Sequence, residues 1–293
     1  MSIPFFDAGG VLADNVLIEN DLIKGAIRLA ENLGANAIDL RHNQPLRCME
    51  HGLGDPKSRR TDSSMFETNR WYGSASTKRV RLSLDLLQSP EALFSTFKSK
   101  LRSQIRKPMK EGLTVRIGHL DLVDEFYEVF AQNMRDLGSP VHAKRLIIEV
   151  LREFSETAWI FVVDAGRKPI ACSLCIGFKD TMANPWASSL RRYRQLSPNM
   201  LLYWAMLEFA CQRGYEKFDF GRSSPGEGTY KFKEQWGAKP QPLYWYQLST
   251  EPGAGEEGSL AKDKMSRAIE YWKRLPVLVT KTIGPRIRRY ISL

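Results

Sequence analysis

Apolar residues recur at helical spacing in two separate parts of the chain. Over residues 15–34 they fall at i, i+3 and i+4 and a glycine follows, a pattern that predicts a helix ending at Gly34. A short strand is predicted next, over residues 37–40. Residues 199–222 show the same order, with a helix that ends at Gly214 and a strand over residues 217–220.

These two stretches align as an internal repeat. At an offset of roughly 180 residues, Gly34 aligns with Gly214 and Asp39 with Asp219. The chain is therefore predicted to hold two copies of one fold, the first of them incomplete because it matches only the C-terminal part of the second. We expect a partial first domain and connection over residues 1–75, a complete second domain over residues 76–250, and a linker with a basic amphipathic tail over residues 251–293.

The second copy predicts a longer series of elements. Alternating apolar and polar residues over 80–86 indicate a half-buried strand, and one helix is expected to run on from Glu91. A brief strand and two helices follow, and then three strands joined by hairpin turns, over residues 159–164, 169–178 and 181–188. A helix, a strand, a helix and a final strand complete an α+β pattern. This order of elements resembles that of the N-acetyltransferase (GNAT) fold.

The charge of the chain favours a polyanionic partner. Its formal net charge of +10 suits RNA, a pyrophosphate-bearing substrate or an anionic membrane face, although a generally basic and solvated surface gives the same count. Six cations cluster on the helix that runs from Glu91, either as a contact for a polyanion or as a solvated face. They are Lys98, Lys100, Arg102, Arg106, Lys107 and Lys110.

The four cysteines lack the paired spacing of a metal site. Cys172 and Cys175 are expected to point to opposite faces of one strand, as small core residues in a reducing cytoplasm. The sequence has no run of about 18 apolar residues, and no secretory leader opens it. We therefore expect a cytoplasmic protein.

Candidate chemistry lies in residues 218–237, FDFGRSSPGEGTYKFKEQWG, which predict a strand, a glycine- and serine-rich turn and a short helix. Phe218 and Phe220 share one face of the strand, and Asp219 faces the other way. A carboxylate at the end of a buried strand, followed by a glycine and Arg222, is a usual place for chemistry in an α/β protein. The alternative is a connection whose glycines serve backbone geometry alone.

A second group of candidates lies between two predicted helices. Arg135, Ser139 and His142 cluster around a Gly-Ser-Pro turn, where they either help to line a pocket or belong to the turn alone. Asn199, at the start of the helix that ends at Gly214, is a further candidate for contact with substrate.

Three stretches of the second copy carry a resemblance to a known family: NMRDLGSPVH, SLRRYRQLSPN followed by MLLYW, and FDFGRSSPGEGTYKFKEQWGA. Over roughly residues 4–248 the chain resembles the Fem-type ligases, more narrowly the FemAB-related proteins associated with exosortase/PEP-CTERM exopolysaccharide systems. Fem ligases have two GNAT-like domains and transfer an aminoacyl group from aminoacyl-tRNA to an amine of a peptidoglycan precursor. For the PEP-CTERM-associated branch the resemblance implies acyl transfer alone. The family's Phe-Lys pair falls on Phe232 and Lys233.

The implied chemistry needs positive charge where the ester carbonyl oxygen and the leaving 3'-oxygen become negative. Lys233 is the candidate for that role, and Asp219 is the candidate for orienting or deprotonating the amine, unless it caps the turn instead. Phe232 or Tyr230 is expected to stack on the terminal adenine of a tRNA, although Phe232 fits the core equally well. Arg222 is expected to bind a phosphate or to pair with Asp219. Transfer from an activated ester needs no metal, so no cofactor is expected besides the co-substrate, aminoacyl-tRNA or acyl-CoA.

Two other features bear on the donor and on the place of action. Acyl-CoA users of the GNAT fold grip the pyrophosphate with a glycine-rich loop, but the corresponding residues 188–199 contain no glycine, which disfavours acyl-CoA. A non-catalytic GNAT-like protein that binds RNA or anchors an envelope assembly fits the same basic surface.

Beyond a predicted linker over residues 249–260, the tail contains a tryptophan and many cations and is expected to be broken at Pro276 and Pro285. It suits either an anionic inner-membrane surface, to which the protein would bind peripherally, or docking on the incomplete first domain.

Overall fold

The structure is a computed structural model that describes residues 9–47, 71–250, 259–288 and 290; for Tyr72 and residues 259–265 only the backbone is described. The helices are α1 (Val16–Asn32), α2 (Pro90–Thr96), α3 (Ser99–Lys110), α4 (Val123–Leu137), α5 (Lys144–Glu153), α6 (Pro198–Gln212), α7 (Gly228–Glu234), α8 (Ser259–Arg274) and α9 (Val277–Arg288). The strands are β1 (Ala37–His42), β2 (Tyr72–Ser76), β3 (Val80–Asp85), β4 (Leu113–Gly118), β5 (Ala158–Ala165), β6 (Lys168–Phe178), β7 (Thr181–Ser189), β8 (Lys217–Ser223), β9 (Lys239–Pro242) and β10 (Tyr244–Ser249). Short 3-10 helices cover Leu120–Leu122 and Arg191–Leu196. The sequence also predicts a strand that enters a glycine turn over residues 4–12 and a polar loop over residues 42–69. Most of both segments, and most of the predicted linker over residues 249–260, lies outside the described residues.

The larger sheet of the described chain has seven strands in the order β4-β5-β6-β7-β8-β3-β9. Neighbouring strands are antiparallel except β7 and β8, which run parallel. Because parallel neighbours need a crossover, α6 connects β7 to β8 across one face of the sheet. The predicted α+β class and the predicted run of three antiparallel strands are confirmed.

Two apolar cores lie on the two faces of this sheet. The helices α2, α3 and α6 cover one face, and α4 and α5 cover the other. Along β6, Cys175 lies in the first core and Cys172 in the second, as their predicted alternation requires. Burial raises the pKa of both thiols, so they are protonated core residues at neutral pH.

A smaller sheet joins the two ends of the predicted repeat. Its strand order is β1-β10-β2, and α1 packs on it through Ile23 and Ile27 against Tyr246 and Leu248 of β10. The last strand of the predicted second copy therefore completes the core of the first. The domain division at residues 75 and 250 stays a prediction, but the pairing of β1 with β10 crosses the boundary at residue 75.

The helices α1 and α6 end in the same way. Gly34 and Gly214 both have φ in the left-handed region, at 63° and 76°. The residue after each glycine donates its N–H to the carbonyl oxygen five residues earlier, at 2.8 Å in α1 and 3.1 Å in α6. A strand follows each helix, so the predicted repeat is present in the hydrogen bonds of the two helix ends.

The single helix that was expected to run on from Glu91 is wrong, because the chain turns at Phe97 (φ −72°, ψ 143°) between α2 and α3. The Phe97 ring packs edge-on against Trp204 and Trp236, with ring centroids 6.0 and 5.7 Å apart. This packing fixes the turn. The apolar spacing continues across it, and the pattern alone therefore does not reveal the break.

The helices α8 and α9, which we together call the C-terminal hairpin, both pack on α4. Arg135 Nη1 donates a hydrogen bond to the Leu275 carbonyl oxygen at 2.9 Å, and Trp272 is buried. The expectation that the tail docks on the incomplete first domain is therefore wrong, since its packing partner belongs to the larger sheet. The expected break at Pro285 is also wrong: Pro285 lies inside α9, where the neighbouring Gly284 packs against Val141.

His142 is buried where the hairpin meets the end of the α4–α5 connection. Its ring centroid lies 5.5 Å from that of Trp186, and its carbonyl oxygen accepts a hydrogen bond from Tyr127 Oη at 2.9 Å. Burial and the nearby guanidinium of Arg288 lower the pKa of His142 to about 4. The imidazole is therefore neutral in the folded protein at physiological pH.

Two glycine substitutions in one unit test the shared helix ending. Gly34→Ala should lower the free energy of unfolding by about 1 kcal/mol, because an alanine side chain disfavours a left-handed backbone. Gly25→Ala, within α1 and with open space around its position, should raise it by up to about 1 kcal/mol. Urea denaturation of both variants measures the difference. Equal effects of the two substitutions would contradict the assigned backbone conformations.

The depressed pKa of His142 predicts an acid sensitivity. In the unfolded chain His142 has its ordinary pKa of 6.5, and in the folded chain its pKa is about 4. The contribution of neutral His142 to stability is therefore fully present above pH 6.5. That stability, up to about 3 kcal/mol, is lost as the pH falls between them. Urea denaturation at stepped pH should give a steeper loss for the wild type than for His142→Gln, and parallel curves would refute the assignment.

Candidate active site

The parallel strands β7 and β8 separate partway along their length. They are paired over residues 181–183 and 217–219. Just beyond, the register gives β7 one extra residue at Asn184 and Pro185 relative to β6, and β8 one extra residue at Phe220 and Gly221 relative to β3. Bulges turn their strands, and a proline has no N–H to donate to a ladder. The β7–β8 ladder therefore ends before the carboxyl end of β8, the place where sheets of this kind bind ligands, and we call the region between these two strand ends the cleft.

Asp219 holds the end of β8 in place. One carboxylate oxygen accepts a hydrogen bond from the Gly221 N–H at 2.9 Å, and the other lies 2.6 Å from Arg81 Nη2 of β3. Gly221 has a φ of 73°, so the carboxylate caps a left-handed turn. These contacts match the capping alternative and pair the carboxylate with Arg81, while a catalytic role of Asp219 stays a prediction.

Lys233 lies at the same strand end. The residue is 8% exposed, and its ammonium donates hydrogen bonds to the carbonyl oxygens of Gly221 at 3.1 Å and Arg222 at 2.8 Å. A buried cation is costly unless such dipoles replace its water. After β8 the chain makes the glycine-rich turn and forms α7, and α7 brings Lys233 back to the end of β8. The hydrogen bonds there hold the positive charge beside the cleft.

The aromatic candidates pack into the core beneath this cation. Phe232 lies edge-on to Tyr203 of α6, with centroids 4.9 Å apart, and Tyr203 stacks on Phe220 at 5.6 Å with 7° between the rings. Tyr230 is half-buried against the same core. Phe232 therefore has the core packing that was its alternative assignment, and a stacking role for Phe232 or Tyr230 stays a prediction.

Buried polar groups cross beneath the cleft. A side-chain hydrogen bond joins Tyr203 to Asn184, and burial raises the pKa of the Tyr203 phenol. The Asn184 Oδ1 atom lies 2.9 Å from Ser173 Oγ, which also lies 3.0 Å from the Trp186 carbonyl oxygen. This chain of hydrogen bonds ties the bulged part of β7 to β6 and α6, and so it keeps the cleft in shape.

Arg222 points toward the smaller sheet. Its guanidinium lies over the Trp245 ring of β10, 5.1 Å from the centroid. Arg41 and Arg79 lie over the same ring, at 4.4 and 4.6 Å. The residue that follows the β8 bulge therefore links the cleft to β10 and to the N-terminal unit.

The other predicted site residues fall in two places. Arg135 and His142 contact the C-terminal hairpin, with Ser139 in the same connection after α4, and Asn199 lies half-buried in the first turn of α6. His142 is buried with its ring next to that of Trp186 of β7. The structure therefore brings Lys233, Asp219 and Arg222 together and leaves Arg135 under the hairpin. Substrate contacts of these residues stay predictions.

Sequence reasoning missed Arg81, Asn184 and Tyr203. Arg81 alternates with apolar residues on a predicted strand and looks like any solvent-facing cation, since its pairing with Asp219 depends on the β3–β8 register. Asn184 next to Pro185 was the available signal, because a proline within a strand marks a bulge or an edge. Tyr203 lies on a predicted helix that is largely apolar, and nothing in the local sequence indicates its hydrogen bond to Asn184.

Among the described residues, no group of three or more His, Cys, Asp or Glu side chains is placed to hold a metal ion. In the same part of the chain, no helix combines the length and the apolar composition needed to span a bilayer.

Comparisons with known proteins agree with this architecture. The structure of FemX superposes with a TM-score of 0.57 at 14% identity, over 83% of this chain and 82% of that one. The C-terminal domain (DUF2156) of a putative lysylphosphatidylglycerol synthetase from Agrobacterium fabrum also gives 0.57 at 14% identity, over 87% and 78%. A GCN5-related N-acetyltransferase from Sphaerobacter thermophilus gives 0.51 at 10% identity, over 82% and 70%.

Sequence comparison adds one family. None of the curated proteins matches the chain. Residues 95–234, which run from α2 to the end of α7, match the family described as an acetyltransferase (GNAT) domain. That segment contains β7, β8 and Lys233. The chain therefore has the GNAT fold, with the matched domain at residues 95–234.

Proposed function

We propose that the chain is an acyltransferase of the Fem type, which moves an aminoacyl group from aminoacyl-tRNA to an amine of a peptidoglycan or exopolysaccharide precursor. The match to an acetyltransferase domain supports transferase chemistry in general. The three sequence stretches that resemble the Fem-type ligases, one of which contains Phe232 and Lys233, support the narrower assignment. We keep the association with exosortase/PEP-CTERM systems as part of this proposal, because the same motifs carry it.

The observation that carries the proposal is the buried ammonium of Lys233 beside the open part of the β7–β8 pair. In this reaction the acceptor nitrogen attacks the ester carbonyl carbon, the C–N bond forms and the C–O bond breaks. The carbonyl oxygen and then the leaving 3'-oxygen of the ribose gain negative charge, and the proton lost by the amine goes to that 3'-oxygen. A fixed cation in a partly dehydrated site stabilises both oxygens.

In this proposal Asp219 is a positioning residue: it holds the end of β8 in place. Both of its oxygens are engaged, by the Gly221 N–H and by Arg81, and the strand end they hold supplies the two carbonyl oxygens that bind Lys233. Acting as a general base would require it to give up one of these contacts. The amine proton is instead passed to the leaving group.

Aminoacyl-tRNA is the favoured donor. The connection from β7 to α6, where acyl-CoA users have glycines, holds a 3-10 helix with three arginines and no glycine here. Side chains at these positions limit how closely a pyrophosphate can approach backbone N–H groups. An acyl-CoA-dependent N-acyltransferase is the second candidate, favoured by the family match over residues 95–234. A non-catalytic RNA-binding or envelope-assembly protein remains the alternative from another class.

Substitution of Lys233 tests the proposed function. Lys233→Met should reduce transfer from radiolabelled aminoacyl-tRNA to a peptidoglycan precursor by about 100-fold or more, because the charge that stabilises the oxyanion is lost. Lys231→Met, on the exposed side of the same helix, is the matched control and should keep full transfer. Circular dichroism checks that both variants fold.

Lys233→Arg keeps a cation and its donors, so it separates chemistry from folding. It should retain the melting temperature of the wild type more closely than Lys233→Met does. Full transfer by a folded Lys233→Met protein would remove Lys233 from the mechanism. Transfer from acyl-CoA alone would establish the second candidate.

We also propose that the acceptor is lipid-linked and that the C-terminal hairpin contacts the cytoplasmic face of the inner membrane. Tyr271 and Leu278 of the hairpin and Tyr290 just after α9 are 70, 78 and 79% exposed, and the hairpin carries Arg274 and Arg286 on its exposed surface. Aromatic and aliphatic side chains beside arginines suit an anionic lipid surface.

Because Trp272 and Arg288 are buried against the protein, deletion of the hairpin would disturb the fold, and exposed positions give the sharper test. Leu278→Ser with Tyr290→Ser should weaken cosedimentation with vesicles of anionic phospholipid several-fold. Leu17→Ser with Leu33→Ser, which removes two exposed leucines from the α1 region, should leave it unchanged. Equal loss in both proteins would rule out a specific role for the hairpin.

A further inference from the structure

The solvent-facing side of α3, with its N-cap Lys98, and the neighbouring 3-10 helix Arg191–Leu196 together form a strongly basic surface. Lys107 Nζ donates a hydrogen bond to the Gln195 carbonyl oxygen at 2.9 Å and so joins the two elements. We call the result the basic surface. Its nine cations are Lys98, Lys100, Arg102, Arg106, Lys107, Lys110, Arg191, Arg192 and Arg194.

The cations of the basic surface have no carboxylate partners among the residues whose side chains the structure describes. Across residues 9–47, 71–250 and 266–288, none of the nine takes part in a salt bridge, whereas exposed cations elsewhere do, such as Lys217 with Asp180 and Lys239 with Asp85. Glu111 borders the same groove without pairing with any of them. A concentration of unneutralised charge is costly to maintain, and a polyanion relieves it.

The shape of the basic surface is extended. A shallow groove of about 500 Å³ follows α3 and is lined by Arg102, Arg106, Lys107 and Lys110. The 12 residues of α3 alone give it a length of about 18 Å. This length suits several successive phosphates of a nucleic acid strand better than the compact phosphate cluster of one small molecule.

Aromatic rings hold two of the guanidinium groups. Arg106 lies over Phe94, 5.3 Å from the ring centroid, and Arg192 lies over Tyr193 at 5.1 Å. Rings beneath a guanidinium limit its freedom and leave its edge for an acceptor. By contrast, Met109 is the one large apolar side chain exposed on α3 and the 3-10 helix. A surface that inserts into lipid needs more apolar residues than this, so RNA is favoured over a membrane.

The basic surface also lies on the segment that leads to the cleft. The 3-10 helix connects β7 to α6, and α6 carries Tyr203, which packs against Phe232 next to Lys233. A strand of RNA held along α3 and this connection could therefore present its 3' end toward the open part of the β7–β8 pair.

We infer that the basic surface binds the phosphate backbone of the RNA that delivers the acyl group, through contacts with phosphates and without reading bases. This inference rests on the proposed function, because it assigns a docking surface to the donor named there. Binding through phosphates releases counterions, so affinity falls steeply with salt. The affinity of the basic surface for the RNA is also expected to be independent of the amino acid attached to the RNA.

The test is fluorescence anisotropy of labelled, uncharged tRNA with the full chain at several salt concentrations. Arg106→Gln with Arg192→Gln should weaken binding on the order of tenfold near physiological salt and reduce the salt slope by about 1.5. Lys179→Gln with Lys217→Gln removes the same charge at the opposite end of the larger sheet and is the matched control. It should bind as the wild type does.

Further arms separate this inference from the proposed function. Lys233→Met should bind tRNA normally while losing transfer; binding without any transfer in the wild type would leave the basic surface standing and defeat the proposed reaction. Unchanged tRNA binding in the Arg106→Gln with Arg192→Gln variant would overturn the inference. So would competition by coenzyme A at micromolar concentration, or loss of vesicle binding in place of tRNA binding in that variant.

Discussion

The hydrogen bonds from the Lys233 ammonium to the carbonyl oxygens of Gly221 and Arg222 constrain the whole end of β8. Here the ladder between β8 and β7 has ended, and the β8 bulge and the left-handed Gly221 change the course of the strand while it stays paired with β3. Asp219 and Arg81 fix the same turn from the other side of the strand. A buried cation held by dipoles that cannot rotate is preorganised for charge that develops nearby, which is why this corner of the fold carries the proposed chemistry.

The two sheets depend on each other through β10. This strand lies between β1 and β2 and also supplies Trp245, against which Arg222 packs. In residues 9–47 and 71–76, the described part of the N-terminal unit, α1 packs on a small core, and β10 supplies Tyr246 and Leu248 to that core. Arg222, whose carbonyl oxygen binds Lys233, thus packs on β10, the strand that pairs with β1 of the first copy.

The C-terminal hairpin adds a third layer. It covers α4 and buries His142, so the predicted pocket residues Arg135 and His142 support a helix–helix interface. On the same larger sheet, the basic surface and the exposed side of the hairpin differ in composition: the first has nine cations and one exposed large apolar side chain, and the second mixes aromatic and aliphatic residues with arginines. The basic surface, which is almost entirely charged, suits a hydrated phosphate backbone, and the mixed surface of the hairpin suits a lipid interface.

Local sequence determined much of this protein. The period of apolar residues gave the helices and strands of the second copy, and glycines at 34 and 214 marked two equivalent helix ends, because a left-handed backbone needs a residue without Cβ. The adjacent Phe232 and Lys233 had to point different ways on a helix for the same kind of local reason. Tertiary structure alone decided the rest: the turn at Phe97, the pairing of Asp219 with Arg81, the place of β10 between β1 and β2, and the docking of the hairpin on α4. Each of these depends on register or packing between residues far apart in the chain, and periodicity along one segment contains no information about which distant segment will lie beside it.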